Sequence, residues 1–215
     1  MNFPKYSKIS NVYNRDPETG KIKEGEYAYK VFHQLEDIIW VGTEKIDGTN
    51  IRLTWNGDRV GILGKREESQ IPEFLFDALV NHYCTPEVEE LFEQTFGGTP
   101  VVIYGEGYGK GIQACGAKYI PDGNDFIMFD VCFPESKQFL SWGDVVDTGA
   151  KLNIRCVPVV ACGPLPALVK QVKIKPYSVV AKEELVSEGI VARPMTELRT
   201  NQGRVMCKIK TRDFE

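Results

Sequence analysis

The chain has 215 residues, of which 42% are hydrophobic and 11% aromatic, enough to bury one ordinary core and too few for two comfortable domains, so one globular unit is expected. A net charge of -4 argues against a uniformly basic, nucleic-acid-coating surface, yet residues 1–164 carry 16 basic and 24 acidic side chains while residues 165–215 carry 10 basic and 6 acidic. Phosphate contacts are therefore expected toward the carboxyl end, although Lys170, Lys173, Lys175 and Lys182 read better as a solvated face.

The amino terminus has no apolar run of signal-peptide type, and no stretch approaches the roughly 20 apolar residues of a membrane span, so a soluble, cytoplasmic protein with no membrane partner is expected. Ile38-Ile39-Trp40-Val41 reads as a strand leading into Glu44-Lys45. The alternation Ile51 to Trp55, the turn residues Asn56-Gly57-Asp58 and the resumed run Arg59 to Leu63 predict a hairpin. Apolar residues at helical spacing, with Pro72 and Pro86 near the starts, predict helices over 73–82 and 86–96. Further strands are expected at 100–104, 126–133, 157–161, 189–192 and 205–209, with a helix near 165–172. The sum is an α+β fold with mainly antiparallel sheet.

Several chemistries are excluded by their missing motifs. Gly105-Glu106-Gly107-Tyr108-Gly109-Lys110-Gly111 follows a predicted strand but lacks the G-x-G-x-x-G spacing and a following amphipathic helix, so a dinucleotide fold is not supported. No G-x-x-x-x-G-K-[ST] occurs. Only His33 and His82 are present, neither in a nucleophile or metal motif, and both read as structural. The six cysteines form no C-x-x-C pair, which points to reduced thiols rather than a zinc knuckle or disulfide framework.

One ordered constellation survives. Lys45-Ile46-Asp47-Gly48-Thr49-Asn50 stands where a strand gives way to a turn, and after it come Gly64-Lys65-Arg66, Tyr104-Gly105-Glu106-Gly107, Met128-Phe129-Asp130, Ser187-Glu188-Gly189-Ile190-Val191 and Lys208-Ile209-Lys210. K-x-D-G alone arises readily by chance; six short segments in this order do not. The set resembles the nucleotidyltransferase motifs shared by DNA ligases, RNA ligases and mRNA capping enzymes. Lys5-Tyr6-Ser7, Asn11-Val12-Tyr13-Asn14, the K-x-x-G-T-N form and Gly111-Ile112-Gln113 look like the adenylating domain of the RNA ligase 2 type. Asp47 departs from that pattern toward the DNA ligases and leaves the polynucleotide preference open.

The resemblance implies an ATP-grasp-like adenylation domain with a nucleotide cleft between its sheets, ATP and a magnesium or manganese ion, and a lysyl-AMP intermediate on Lys45. It further implies that Glu188 holds the metal, with Glu106 as a second metal ligand, and that Lys208 and Lys210 meet the phosphates. Arg66 and Glu106 would engage the ribose, Phe129 would stack on adenine, Glu44 would meet adenine through its backbone, and Asn50 would act near phosphate and metal. Asp47, Lys65 and Gln113 would position substrate. Elementary chemistry is compatible with this. A lysine attacking phosphorus must be neutral, and an ordinary pKa of about 10.4 leaves roughly one amine in two thousand neutral at pH 7, so neighbouring positive charge is needed. Lys208 and Lys210, two apart in a strand, place both amines on one face.

The expected cycle moves AMP from Lys45 to a 5'-phosphate and lets a 3'-hydroxyl displace it, sealing RNA or another polynucleotide. The short sequence after Lys210 leads us to expect neither an OB-fold nor a carboxyl-terminal appended domain, with a helper protein or domain supplying nucleic-acid contacts. A DNA ligase or GTP-using capping enzyme on the same scaffold, and a binding module that holds ends without joining them, remain alternatives.

Overall fold

The hairpin read at 51–63 is present in the computed structural model, which describes residues 2–66, 68–201 and 203–215. In chain order the amino-terminal elements are β1 (Ser10–Asn11), β2 (Tyr13–Arg15), β3 (Ile22–Tyr27), α1 (Lys30–Gln34), β4 (Trp40–Glu44), β5 (Thr49–Trp55), β6 (Val60–Gly64), α2 (Glu73–Tyr83), α3 (Pro86–Phe96) and β7 (Val101–Gly109). They are followed by α4 (Gly116–Tyr119), β8 (Asn124–Phe133), β9 (Gln138–Phe139), α5 (Trp142–Leu152), β10 (Val159–Gly163), α6 (Leu165–Lys173), β11 (Gly189–Pro194), β12 (Arg199–Thr200), β13 (Gly203–Arg204), β14 (Cys207–Lys210) and a 3-10 turn, Thr211–Phe214. The fold is α+β, with antiparallel pairing throughout the named strands except for the parallel pair β1–β14.

Two compact units divide the chain. The first comprises Met1–Ser7, Asp47–Val157 and Ala181–Glu183; the second comprises Lys8–Ile46, Pro158–Val180 and Glu184–Glu215. The sheet of the first unit runs β6-β5-β7-β8-β9. Its period-2 alternation sends Ile51, Leu53, Ile103, Phe126 and Met128 to one face, where Leu75 and Leu79 of α2, Phe92 of α3 and Val145 of α5 complete the core. Each such side chain taken from water stabilises the fold by about 1.5–3 kcal/mol. The turn between β5 and β6 closes because Asn56 Oδ1 accepts from the backbone N–H groups of Asp58 and Arg59 (2.9 and 2.8 Å), an Asx turn. Thr85 caps α3 by accepting from Val88 N (3.4 Å) ahead of Pro86, as the Pro-at-start signal requires.

Besides the short α4 and β9, which the sequence expectation does not include, two larger features of this unit depart from it. β7 does not stop at Tyr104 but continues through the glycine-rich run to Gly109. The glycines serve close packing instead of a loop: a Cβ on Gly105 would lie 2.3 Å from the Phe126 ring, and one on Gly107 2.9 Å from Leu75. Helix α5 was not expected, since Gly143, Thr148 and Gly149 dilute its periodicity. Ser141 caps it through Asp144 N (3.3 Å), and at Gly149 a Cβ would fall 2.5 Å from Cys156 Sγ, so tertiary contact overrides propensity there.

The sheet of the second unit runs β1-β14-β11-β4-β10. Ala161, Ile190, Ala192, Cys207 and Ile209 face a core shared with Leu165, Leu168, Val169 and Val172 of α6. Alternation then leaves Lys208 and Lys210 on the opposite face. β4 begins at Trp40, two residues later than the apolar run suggests: Ile38 and Ile39 are exposed, and the Trp40 indole N–H donates to Leu35 O (2.8 Å). β10 and β14 likewise start two residues inside the expected spans. No helix among the described residues is long and apolar enough to cross a membrane.

Candidate active site

The second unit assembles a cationic cluster around one carboxylate. Alternation along β4 puts Glu44 on the inner side, almost fully buried, where its Oε2 accepts from Val179 N (3.0 Å); its side chain is committed to the fold. Lys45 follows on the outer side, its backbone N–H donating to Gly189 O (2.9 Å). Its Nζ donates to Glu188 Oε2 at 2.6 Å, and Lys210 Nζ lies 2.8 Å from Glu188 Oε1. Each carboxylate oxygen thus meets one ammonium.

The segment around Glu188 is fixed from several sides. Ser187 Oγ donates to Gly189 O (3.1 Å) and accepts from Gly189 N (3.2 Å), Thr211 Oγ1 donates to Ser187 O (2.7 Å), and Thr211 N donates to Glu188 O (2.9 Å). Gly189 is required here: its φ is +137°, and a Cβ would fall 2.0 Å from Ile209 O. That explains a glycine directly after the glutamate. Thr211 carries no motif signal, and sequence reasoning missed it; only its place one residue past the lysine pair pointed that way.

Electrostatics follow from this geometry. For Glu188, burial works to raise the carboxyl pKa, but Lys45 and Lys210 more than offset it and the net value lies below the ordinary carboxylate range. Lys208 makes no ion pair among the described residues. Burial first, then the charges of Lys210, Lys45 and Lys8, hold its ammonium below the usual lysine value, with Glu188 opposing only in part. Lys208 and Lys210 share a face, as expected, but Lys210 is engaged by Glu188 and Lys208 stands without a carboxylate partner among the described residues.

The remaining residues singled out from the sequence lie in the first unit. Asn50 and Glu106 are cross-strand neighbours on β5 and β7, and Glu106 in turn pairs with Ile127. Asn50 Nδ2 donates weakly to Gly105 O (3.5 Å), while its buried Oδ1 has no hydrogen-bond partner among the described residues. Asp47 accepts from Cys115 Sγ (3.3 Å). Gln113 sits at φ +56° and donates to Gly48 O (3.0 Å), tying the turn after Asp47. Phe129 occupies an irregularity in the β7–β8 register, half-buried and edge-on to Tyr6 (5.1 Å between centroids) beside Tyr104 and Cys132. Lys65 and Arg66 are exposed beyond β6. Lys170, Lys173, Lys175 and Lys182 are exposed too, with Lys173 and Lys175 neutralised by Glu24 and Glu215.

Among the described residues no group of three or more His, Cys, Asp or Glu side chains could hold a metal ion. A closed protein cage is thus not what this donor set fits. A single carboxylate beside cations fits a magnesium-type ion, which keeps water and takes phosphate oxygens along with one or two protein carboxylates.

The RNA ligase family model matches residues 38–210. Similar solved structures include three Naegleria gruberi RNA ligase variants. One, a lysine-to-alanine variant with ATP and Mn, superposes with a TM-score of 0.68 at 17% identity, covering 99% of this chain and 58% of that one. An unliganded RNA ligase R4a variant gives 0.64 at 16% identity over 86% and 52%, and a lysine-to-methionine variant with AMP and Mn gives 0.63 at 16% over 86% and 53%. This chain therefore spans somewhat more than half the length of these proteins. No match was found among curated proteins. With the family match spanning most of its length, the chain belongs to the RNA ligase family.

Proposed function

We propose that the chain is the adenylating domain of an ATP-dependent RNA ligase, of RNA ligase 2 type, and that Lys45 accepts AMP from ATP before passing it to a 5'-phosphate end. The observation that carries this reading is the ion-paired set Lys45–Glu188–Lys210, at 2.6 and 2.8 Å, with Lys208 on the same face. The Lys45 amine, its surplus proton first lost to solvent, would form a bond to the α-phosphorus while the bond to the pyrophosphate oxygen breaks and pyrophosphate leaves. Glu188 touches that amine but is a poor base, its carboxyl being held below the ordinary range. Its role is to aim Nζ. Lys208 and Lys210 bring positive charge to the phosphate oxygens, where negative charge grows as the bond breaks.

A divalent cation, when bound, would withdraw charge from both the phosphates and Glu188. In the first unit, Glu106 and Arg66 would serve the ribose, Glu106 also the metal, Phe129 the adenine, and Asn50 would offer its unpartnered Oδ1 to a donor. Asp47, Lys65 and Gln113 would position the polynucleotide. Transfer of AMP from Lys45 to a 5'-phosphate, and its displacement by a 3'-hydroxyl, complete the sealing reaction. Incubation with α-labelled ATP or GTP and a divalent metal tests the first step. Label from ATP on the native chain and none on Lys45→Ala supports the reading; label on Lys45→Ala, or only from GTP, refutes it.

A further inference from the structure

The second unit holds a trough of about 620 Å3 whose walls come from both ends of the chain. Lys8, Arg15 and Lys21 enter it from the amino-terminal stretch, and Lys208, Lys210 and Arg212 from β14 and the turn that follows. The parallel pairing of β1 with β14, which sets Asn11 beside Lys208, joins the two ends. Its two carboxylates are both already engaged: Asp213 meets Arg15 at 2.6 Å, and Glu215 meets Lys175 at 3.2 Å. Lys210 is held by Glu188. Lys8, Lys21, Lys208 and Arg212 have no ion-pair partner among the described residues.

Elsewhere on the surface, Lys173 and Lys175 are each neutralised by a carboxylate. Here four cations without an ion-pair partner among the described residues line a concavity in a chain of net charge -4, and an excess of one sign in a concavity concentrates its field. The depression of the Lys208 ammonium, caused by burial and then by Lys210, Lys45 and Lys8, shows repulsion that a bound polyanion would relieve. The volume lies within the range of ligand sites.

We propose that this trough binds the sugar-phosphate backbone of the strand to be joined, with Lys8, Lys21 and Arg212 each neutralising a phosphate. The proposal rests on the ligase reading, because that reading supplies the polyanion. The full chain and a Lys8→Ala, Lys21→Ala, Arg212→Ala triple variant are compared for binding of a 5'-phosphorylated single-stranded RNA across a salt series, and separately for labelling by α-labelled ATP. Each lost phosphate contact removes about 0.7 from the slope of log K against log salt for a single strand, so the variant's slope should be shallower by roughly two. Its affinity should fall about tenfold or more at moderate salt, with labelling within about twofold of native.

Unchanged affinity and slope would overturn the proposal and leave the trough a solvated face. Labelling that falls in step with RNA binding would overturn it in favour of the triphosphate tail. Absence of label on the native chain would instead defeat the ligase reading, and the two failures are separable because the salt slope is measured without ATP.

Discussion

In the first unit the sheet face bearing Asn50, Arg52, Tyr104 and Glu106 is organised by hydrogen bonds to backbone: Arg52 donates to Gly64 O (2.8 Å) and to Phe3 O, and Tyr104 to Pro4 O (2.8 Å). In the second unit the face bearing Lys45, Lys208 and Lys210 is organised by charge, with one carboxylate serving two ammonium groups. The first arrangement fixes shape. The second fixes a balance of charge that a phosphate would alter. Changes to Arg52 and Tyr104, which hold backbone on the first face, should therefore act mainly through stability, and changes to the second face mainly through chemistry and pH.

The largest stability effect is expected on the core side of the same sheet, at Gly105→Ala, whose added methyl meets the Phe126 ring and the Ile127 carbonyl. It should cost about 3 kcal/mol by overpacking, read as a fall in the urea midpoint; a midpoint unchanged from native would count against the close packing of β7 on β8. On the charged face, Glu188→Gln should lower AMP transfer on the order of a hundredfold while the protein remains folded. Its pH signature is specific. The carboxyl is held below its ordinary value of 4.5, so its stabilising effect is complete above that pH and is lost as pH falls through the folded-state value. Urea melts taken from neutrality to below 4.5 should show an acid-induced loss in the native chain that is reduced in Glu188→Gln, and parallel curves would count against the ion-paired cluster.

The smallest effect has the opposite sign. Burial and like charges depress the Lys208 ammonium, so its charged form costs stability at neutral pH, a cost relieved as pH rises through the folded-state value toward the ordinary one. Lys208→Met should therefore raise stability on the order of 0.5 kcal/mol while reducing AMP transfer. A variant that melts lower than native would show that the lysine's packing outweighs its charge.

How much of this was legible beforehand depends on the kind of signal. The β5–β6 hairpin, α2, α3 and α6 were readable because period, turn residues and prolines agreed. Lys45, Glu188 and the lysine pair were readable as ordered motifs, and alternation placed Lys208 and Lys210 on one face. What was hidden depends on the partner that a residue meets. Glycine at 105, 107 and 149 signals flexibility in a sequence, whereas here it admits Phe126, Leu75 and Cys156. The basic trough escaped notice because its lysines and arginines come from the two chain ends, and only the β1–β14 pairing brings them together.

The most direct measurement is to incubate the native chain with ATP and a divalent metal, digest it, and locate any adduct by peptide mass. The account predicts one added AMP on the peptide containing Lys45 and none on those containing Lys208 or Lys210. AMP found on either of the latter, or on no lysine under conditions where the protein is folded, would contradict it.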